Sequence, residues 1–329
     1  MRRRAPGRSS SPTEHGFRYL RQEAARPLPF AYPGGRGSLR AQFPGFRALI
    51  VEIKRSEEED RVEPKVKIGL ALGGGFARGM AHIGVLQALL ANQIPIDLVA
   101  GTSAGSLVGA MFCAGIDPWL MERVVEQMNW RALVRLRLRR DGLLDAEGLE
   151  RFIVGQVGDL HFRDLRIPFT ATATDLLTGQ GVLLNSGRVS TAVRASCAFP
   201  GIFLPVRVGQ HTLVDGGLTH PVPAAVARRM GADIVIGVEL NRPRPRSKPP
   251  RNLLHIMLYS LALVQRPHID KALDEADVVI RPDLNDFSVL ELERADEMIR
   301  AGRDATQEMI PEIQKQMEAL VEVKMARES

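Results

Sequence analysis

Two short apolar segments of this chain each end in a glycine-rich turn, and a helical pattern follows each turn. The first segment covers residues 66–72 and the second covers residues 96–100. Short apolar runs that end in glycine are typical of buried parallel strands. Amphipathic helices are then predicted over 79–92 and 103–114. Two strand–turn–helix units in succession predict an α/β fold of three layers (α/β/α), in which helices cover both faces of a mostly parallel central sheet.

The rest of the chain continues this pattern less regularly. Further strands are predicted at 169–174, 181–184, 211–214, 234–240 and 278–281, and an irregular connector at 194–205. Further helices are predicted at 118–158, 223–230, 252–265 and 289–323. Residues 241–251 are too rich in proline and arginine to form a helix or a strand, and their composition predicts a linker. We therefore expect one domain at 66–240 with an insertion or lid at 118–158, and a C-terminal helical region at 252–329 that packs on it.

The net charge of +6 is concentrated at the N-terminal end of the sequence. Residues 1–45 contain nine arginines and two glutamates, so they carry +7 and leave the remaining chain close to neutral. A basic tail of this kind suits nucleic acid or anionic lipid, but its many proline, glycine and serine residues favour disorder. We expect residues 1–64 to be a disordered basic extension, and we expect no nucleic-acid partner.

The sequence predicts a cytoplasmic protein. No uninterrupted apolar stretch reaches the roughly 18–20 residues of a membrane-spanning helix, and the arginines after Met1 precede no apolar run of a secretory signal. Cys113 and Cys197 lie in apolar segments without metal-ligand spacing, which is typical of buried packing residues in a reducing compartment. The basic residues at 131–140 are either a solvated helix face or a peripheral contact with anionic membrane.

The turn between residues 96–100 and 103–114 contains a candidate nucleophile. Its sequence is Gly101-Thr102-Ser103-Ala104-Gly105. A serine on a sharp strand-to-helix turn exposes its hydroxyl above the sheet, and the flanking glycines permit the tight backbone that this needs. The open alternative is a glycine-rich turn in which Ser103 only caps the helix.

The other turn, residues 73–79, is a candidate oxyanion hole. Three consecutive glycines after a strand (Gly73, Gly74 and Gly75) leave backbone amides able to bind an anion. A nucleotide-phosphate loop and a plain tight turn are the alternatives. The Lys-Ser/Thr of a Walker loop is absent, and Arg78 breaks the Gly-x-Gly-x-x-Gly spacing of a dinucleotide fold. For a serine esterase, such amides contribute about 3–4 kcal/mol of transition-state stabilisation.

A serine nucleophile needs a base, and Asp215 is the best candidate. It ends a predicted strand and precedes Gly216 and Gly217, which permit close approach of another group. The carboxyl ends of strands are where ligands gather in open α/β sheets. A carboxylate must be partly desolvated to act as this base, and the alternative is that Asp215 caps a turn. His82 is interpreted as a structural polar residue of the first helix, since no histidine has the setting of an α/β-hydrolase triad.

Four motifs in order resemble the patatin-like phospholipase family, and in particular its compact bacterial branch. They read LALGGGFARGMAHIGVL (70–86), GTSAGSLVGA (101–110), RASCAFPGIFLPV (194–206) and VDGGLTHPVP (214–223). The resemblance implies a catalytic dyad of Ser103 and Asp215, an oxyanion hole from the amides around Gly74 and Gly75, and no metal or organic cofactor. It implies hydrolysis of acyl groups from phospholipids or lysophospholipids, so a lipid ester is the expected substrate.

Some residues leave alternatives open within this resemblance. Arg78 either holds the glycine loop or binds a lipid phosphate, and Arg194 either binds a head-group phosphate or forms an ion pair. His220 stands where many relatives carry asparagine, which leaves open that it assists Asp215. The glycine loop is one residue longer than the plant patatin form, so the individual amide donors are uncertain. The alternatives for function are a general carboxylesterase or acyl-CoA thioesterase at the same site, or a catalytically silent membrane-associated regulator.

Overall fold

The computed structural model describes residues 66–127, 147–241, 253–289 and 291–328. Within these ranges, helices flank an eight-stranded mixed sheet. The strands are β1 Ile68–Leu72, β2 Leu98–Thr102, β3 Phe169–Asp175, β4 Gly181–Leu184, β5 Val206–Val208, β6 His211–Asp215, β7 Ile234–Val238 and β8 Val278–Ile280. The helices are α1 Ala81–Ala91, α2 Ala104–Cys113, α3 Pro118–Gln127, α4 Glu147–Val157, α5 Val189–Ser196, α6 Ala224–Arg229, α7 Leu253–Leu273 and α8 Ala295–Glu328.

The sheet is mostly parallel, as the sequence predicts. Its strand order is β5-β6-β3-β2-β1-β7-β8, and β4 also pairs with β3. The five strands from β3 to β8 in this order run parallel, whereas β4, β5 and β6 pair antiparallel. The parallel strands therefore place their carboxyl ends at one common edge of the sheet. Ligands gather at this edge in folds of this class.

Alternating side chains of β1 enter two separate cores on opposite faces of the sheet, which confirms the three-layer architecture. In β1, Ile68, Leu70 and Leu72 are fully buried in the larger core with residues of α1, α2 and α8. Ala71 points to the opposite face, where it joins a second core with residues of α6 and α7. Successive side chains of a strand point to opposite faces, so a strand covered on both sides is apolar throughout.

Three elements differ from the sequence prediction. Helix α7 does not end near residue 265 but continues through Pro267 to Leu273. Its last turns are stabilised by burial, since Ile269 and Leu273 pack into the second core. Helix α5 extends to Ser196, so only the later part of the predicted connector 194–205 is irregular. The sequence did not predict the short strand β5, which forms by pairing antiparallel with β6.

The described parts of the segment 118–158 belong to the core. Met121 of α3 and Ile153 of α4 are almost completely buried in the larger core. The central part of this segment, which contains the arginines at 131–140, lies outside the described residues. The basic extension 1–64 and most of the linker 241–251 also lie outside them. No helix in the described ranges is long and apolar enough to cross a membrane.

Helices α1 and α8 cross at very short range because each contributes a glycine. A Cβ atom on Gly84 would overlap the backbone carbonyl of Ile299. A Cβ atom on Gly302 would overlap the backbone carbonyl of Ala81. The atoms in the way are backbone atoms of a neighbouring helix, so they cannot move aside individually.

We expect Gly84→Ala to lower the free energy of unfolding by about 3 kcal/mol, because overpacking here displaces a whole helix. Urea denaturation measures this loss. Ala91→Ser on the exposed end of the same helix is the control, and it should cost less than about 0.7 kcal/mol. Equal stability of the Gly84 variant and the wild type would contradict the close crossing.

Candidate active site

The sheet register brings Ser103 and Asp215 to one place although they are far apart in the sequence. Thr102, just before Ser103, pairs with Thr172 of β3, and Asp215 pairs with the next residue of that strand, Ala173. Ser103 and Asp215 therefore lie at the same level on either side of β3. Both line one open pocket. Only 8% of Ser103 and 4% of Asp215 is exposed.

Ser103 occupies a strained backbone conformation between β2 and α2. Its φ and ψ are 53° and −121°, a region that residues with side chains rarely adopt. A Cβ atom on Gly105 would overlap the Leu72 carbonyl, and one on Gly101 would lie 2.7 Å from the Gly105 carbonyl oxygen. Gly105 is thus needed for the turn to pack on β1, and Gly101 is needed for the end of β2 to pack against the start of α2. The buried hydroxyl of Ser196 accepts a hydrogen bond from the Ser103 amide at 2.9 Å and holds the turn from the other side.

Burial raises the pKa of Asp215 to about 6. Hydrogen bonding from Ser103 and from the Gly217 amide opposes this effect but does not cancel it. The Gly217 amide donates to Oδ1 of Asp215 at 2.7 Å, and the Asp215 carbonyl accepts from the Thr174 hydroxyl at 3.0 Å. The carboxylate is therefore fixed in orientation, ionised near neutral pH and more basic than an exposed aspartate.

Two of the three amides expected to form the oxyanion hole already have acceptors in the protein. The Gly73 amide donates to the Val238 carbonyl and the Gly74 amide donates to the Pro221 carbonyl, each at 3.1 Å. In the described part of the chain, the amides of Gly75 and Phe76 have no hydrogen-bond acceptor. Both residues line the pocket, and Phe76 has a φ of 50° at the start of a 3-10 turn.

His82 supports the glycine loop from beneath. Its Nε2 lies 2.8 Å from the Gly73 carbonyl oxygen, so this nitrogen carries the proton. Nδ1 is buried and has no hydrogen-bond partner among the described residues, and burial lowers the pKa of His82 to about 4. The imidazole is therefore neutral and structural, in agreement with its interpretation from the sequence.

The two candidate phosphate-binding arginines are engaged with the protein itself. The Arg78 guanidinium donates to the Phe287 carbonyl at 2.8 Å and to the Leu240 carbonyl at 3.4 Å. Arg194 forms an ion pair with Glu150 at 2.6 Å. Neither arginine lines the pocket, so the structure favours the loop-holding alternative for Arg78 and the ion-pair alternative for Arg194.

His220 does not face Asp215. Its ring lies against Gly181, and its Nδ1 is 3.0 Å from the Thr219 hydroxyl. Partial burial and the positive charge of Arg229 lower the pKa of His220. The ring does not line the pocket, which leaves Asp215 without assistance from this histidine.

Four residues near the site were not identified from the sequence. The Ser196 hydroxyl accepts a hydrogen bond from the Ser103 amide. Burial raises the pKa of the Cys197 thiol, and the nearby charge of Asp215 raises it further. The Asn241 side chain donates to the Gly74 carbonyl at 2.8 Å, and Gln265 donates to the Gly217 carbonyl at 2.8 Å. Asn241 had a sequence signal because it follows the strand β7 at the carboxyl edge, and Ser196 and Cys197 lie in the third of the four motifs, whereas Gln265 had none.

The walls of the pocket are largely apolar. The rings of Phe76 and Phe199 meet edge to face with centroids 4.6 Å apart, and Leu218 and Leu261 complete the walls near Ser103. A hydroxyl and a basic carboxylate at the floor of an apolar pocket suit a ligand with a polar reacting group and an apolar chain. Among the described residues, no group of three or more His, Cys, Asp and Glu side chains is placed to hold a metal ion.

Comparison with known proteins finds a family model that matches part of the chain. Residues 70–228 match the model of the patatin-like phospholipase family. An uncharacterized NTE family protein of Mycobacterium tuberculosis is 39% identical over 184 residues, which are 53% of this chain and 49% of that protein. The lysophospholipase NTE1 of Debaryomyces hansenii is 26% identical over 273 residues, which are 74% of this chain and 18% of that protein.

Residues 70–228 therefore match the patatin-like phospholipase family, as the motifs within them indicate. The chain spans about half the length of the mycobacterial relative and less than a fifth of the yeast lysophospholipase. Among solved structures, VipD of Legionella pneumophila aligns with a TM-score of 0.47 at 12% identity, over 76% of this chain and 67% of that one.

We expect the stability of Asp215→Asn relative to wild type to increase with pH. The raised pKa of Asp215 means that the folded protein favours the protonated carboxyl, so wild type loses this stabilisation as pH rises from about 4 through 6. Asparagine cannot ionise, so the variant loses no stabilisation over this pH range. The difference in free energy of unfolding should change by about 1.4 kcal/mol between pH 5 and pH 8 in urea titrations. A pH-independent difference would contradict the raised pKa.

Proposed function

We propose that this protein is a lipid acyl hydrolase of the phospholipase or lysophospholipase type, with Ser103 as nucleophile and Asp215 as general base. The observation that carries the proposal is the shared pocket, in which a serine on a strained turn meets a desolvated carboxylate between apolar walls. The match to the patatin-like phospholipase family supports a lipid ester as substrate. The similarity to a lysophospholipase supports a lipid with a single acyl chain as one substrate to test.

The reaction proceeds by acyl transfer in two steps. Asp215 accepts the hydroxyl proton as Ser103 Oγ attacks the ester carbonyl carbon, and the tetrahedral intermediate then expels the alcohol, which takes the proton from Asp215. In the second step Asp215 accepts a proton from water, and the resulting hydroxide attacks the acyl-enzyme. Collapse of this intermediate releases the fatty acid, and the proton returns from Asp215 to Ser103.

The amides of Gly75 and Phe76 stabilise the oxyanion in this proposal. They replace the set of Gly73, Gly74 and Gly75 expected from the sequence, because Gly73 and Gly74 donate to backbone carbonyls elsewhere. The glycine loop is next to the nucleophile, since a Cβ atom on Gly74 would lie 3.5 Å from the Ser103 Cβ. Amides held in place before the reaction stabilise developing negative charge without reorganisation.

The proposal assigns the acyl chain to the apolar walls and gives neither Arg78 nor Arg194 a role in binding a head group. Their guanidinium groups donate to Phe287, Leu240 and Glu150. Losing those bonds to hold a phosphate would leave buried or half-buried acceptors unsatisfied. Selectivity among lipid esters is therefore expected to depend on the acyl chain more than on the charge of the head group.

We expect Ser103→Ala to lower kcat/KM by at least about 10³-fold, because no other group in the pocket replaces the nucleophile. Hydrolysis of p-nitrophenyl butyrate, phosphatidylcholine vesicles, lysophosphatidylcholine and acyl-CoA measures the loss and separates the substrate classes. Ser190→Ala is the matched control, since Ser190 is a buried serine outside the pocket whose hydroxyl has no hydrogen-bond partner in the described part of the chain. That control should keep full activity. Undiminished hydrolysis by the Ser103 variant would overturn the assignment.

We expect kcat/KM to rise with pH and to reach half of its plateau near pH 6, because Asp215 must be ionised to accept the proton. The control is His82→Gln, which keeps an N–H donor for the Gly73 carbonyl and removes the imidazole. Its midpoint should stay near pH 6, since His82 is neutral throughout this range. A midpoint that moves in this variant would indicate that a histidine and not Asp215 is the base.

A further inference from the structure

Up to Gln265, helix α7 combines a half-buried side at the pocket with an exposed side that carries no acidic residue, lysine or arginine. Leu261, Ala262 and Gln265 line the pocket, and Gln265 also donates to the Gly217 carbonyl beside Asp215. On the opposite side of the same turns lie exposed apolar residues. Ile256, Met257, Leu263 and Val264 are 46%, 50%, 46% and 67% exposed. We call these four side chains the outer face of α7.

The concentration of apolar surface here is unusual for the molecule. The described residues include ten exposed large apolar side chains, and four of them lie within nine positions of this one helix. From Leu253 to Gln265 the helix contains no acidic residue, lysine or arginine. Contiguous exposed apolar surface without charge marks a site of interaction with another body.

Two further apolar residues lie at the same edge of the sheet. Leu176 and Leu177 follow β3 at its carboxyl end and are 52% and 76% exposed. This is the edge at which Ser103 and Asp215 lie. Exposed apolar side chains on two separate elements therefore occur at the side of the molecule from which a substrate enters.

We infer that the outer face of α7 docks on the surface of an anionic lipid bilayer and places the pocket at the source of its lipid substrate. This inference rests on the proposed function and extends it from chemistry to the physical state of the substrate. A stable contact with a second copy of the chain would need roughly 20–30 residues on each side, which far exceeds four side chains on three turns. A bilayer accepts a small apolar face without a matching surface.

The charge of the neighbouring sequence favours anionic lipid. The sequence 242–252 enters α7 and contains Arg242, Arg244, Arg246, Lys248 and Arg251 without an acidic residue. Basic residues next to a membrane-bound segment are attracted to acidic head groups, and this attraction weakens as salt increases. The apolar face and the basic sequence are therefore adjacent in the chain and suit the same surface.

The experiment measures co-sedimentation of the full chain with sucrose-loaded vesicles of phosphatidylcholine, with and without phosphatidylglycerol. We expect Val264→Asp to weaken partition into the mixed vesicles about tenfold. The control is Val323→Asp, an equal substitution at an exposed valine of α8 next to Lys324, which pairs with Asp233 at the opposite edge of the sheet. The control should partition like wild type. Wild type should bind less to vesicles without phosphatidylglycerol.

Three outcomes would overturn the inference. Val264→Asp could sediment like wild type, or both variants could lose binding equally. The third is that Val264→Asp changes the elution volume of the protein alone and leaves vesicle binding intact, which would identify a second copy as the partner. Hydrolysis of soluble p-nitrophenyl butyrate separates this test from the proposed function, since Val264→Asp should keep that activity. Ser103→Ala should lose it but bind vesicles like wild type.

Discussion

The close contact between the Ser103 turn and strand β1 is the constraint on which the rest of the site depends. Gly105 packs against the Leu72 carbonyl at a distance that excludes any side chain. This contact sets the start of α2, the strained backbone of Ser103 and the position of its hydroxyl beside the glycine loop that leaves β1. The Ser196 hydroxyl stabilises the turn by accepting a hydrogen bond from the Ser103 amide. The Ser103 side chain is therefore positioned by backbone packing before any ligand binds, which would lower the entropic cost of the proposed acyl transfer.

The buried carboxylate of Asp215 is a second constraint, and it opposes stability. Above pH 6 the protein retains a desolvated negative charge that is only partly compensated by Ser103 and Gly217. An exposed aspartate would avoid this cost but would be too weak a base to accept a serine proton. The Gly217 amide donates to the Asp215 carboxylate, and the Thr174 hydroxyl donates to the Asp215 carbonyl. The orientation of Asp215 is therefore fixed, although its buried charge lowers stability. In the proposed mechanism, this cost in stability accompanies the need for a basic group.

The sequence was sufficient to predict the sheet and to predict that Ser103 and Asp215 are neighbours, but not the contacts around them. Strand–glycine–helix units are local patterns, so β1, β2 and their helices followed from short windows of sequence. The acceptors of the Gly73 and Gly74 amides are Val238 and Pro221, which lie more than 140 positions away and carry no local signal. The continuation of α7 past Pro267 likewise depends on burial of later residues in a core that forms only in the folded chain.

Helix α7 joins the chemistry to the surface of the molecule. Its inner side chains line the pocket and hold the Gly217 carbonyl through Gln265, so a movement of this helix would alter both the pocket wall and the support of Asp215. Its outer face is apolar at the same turns. Contact of that face with lipid would add binding free energy that favours one position of the helix, because a ligand shifts an equilibrium only by its differential affinity for the two states. The same helix is thus the structural link through which a lipid surface would influence Asp215 and the pocket without touching either.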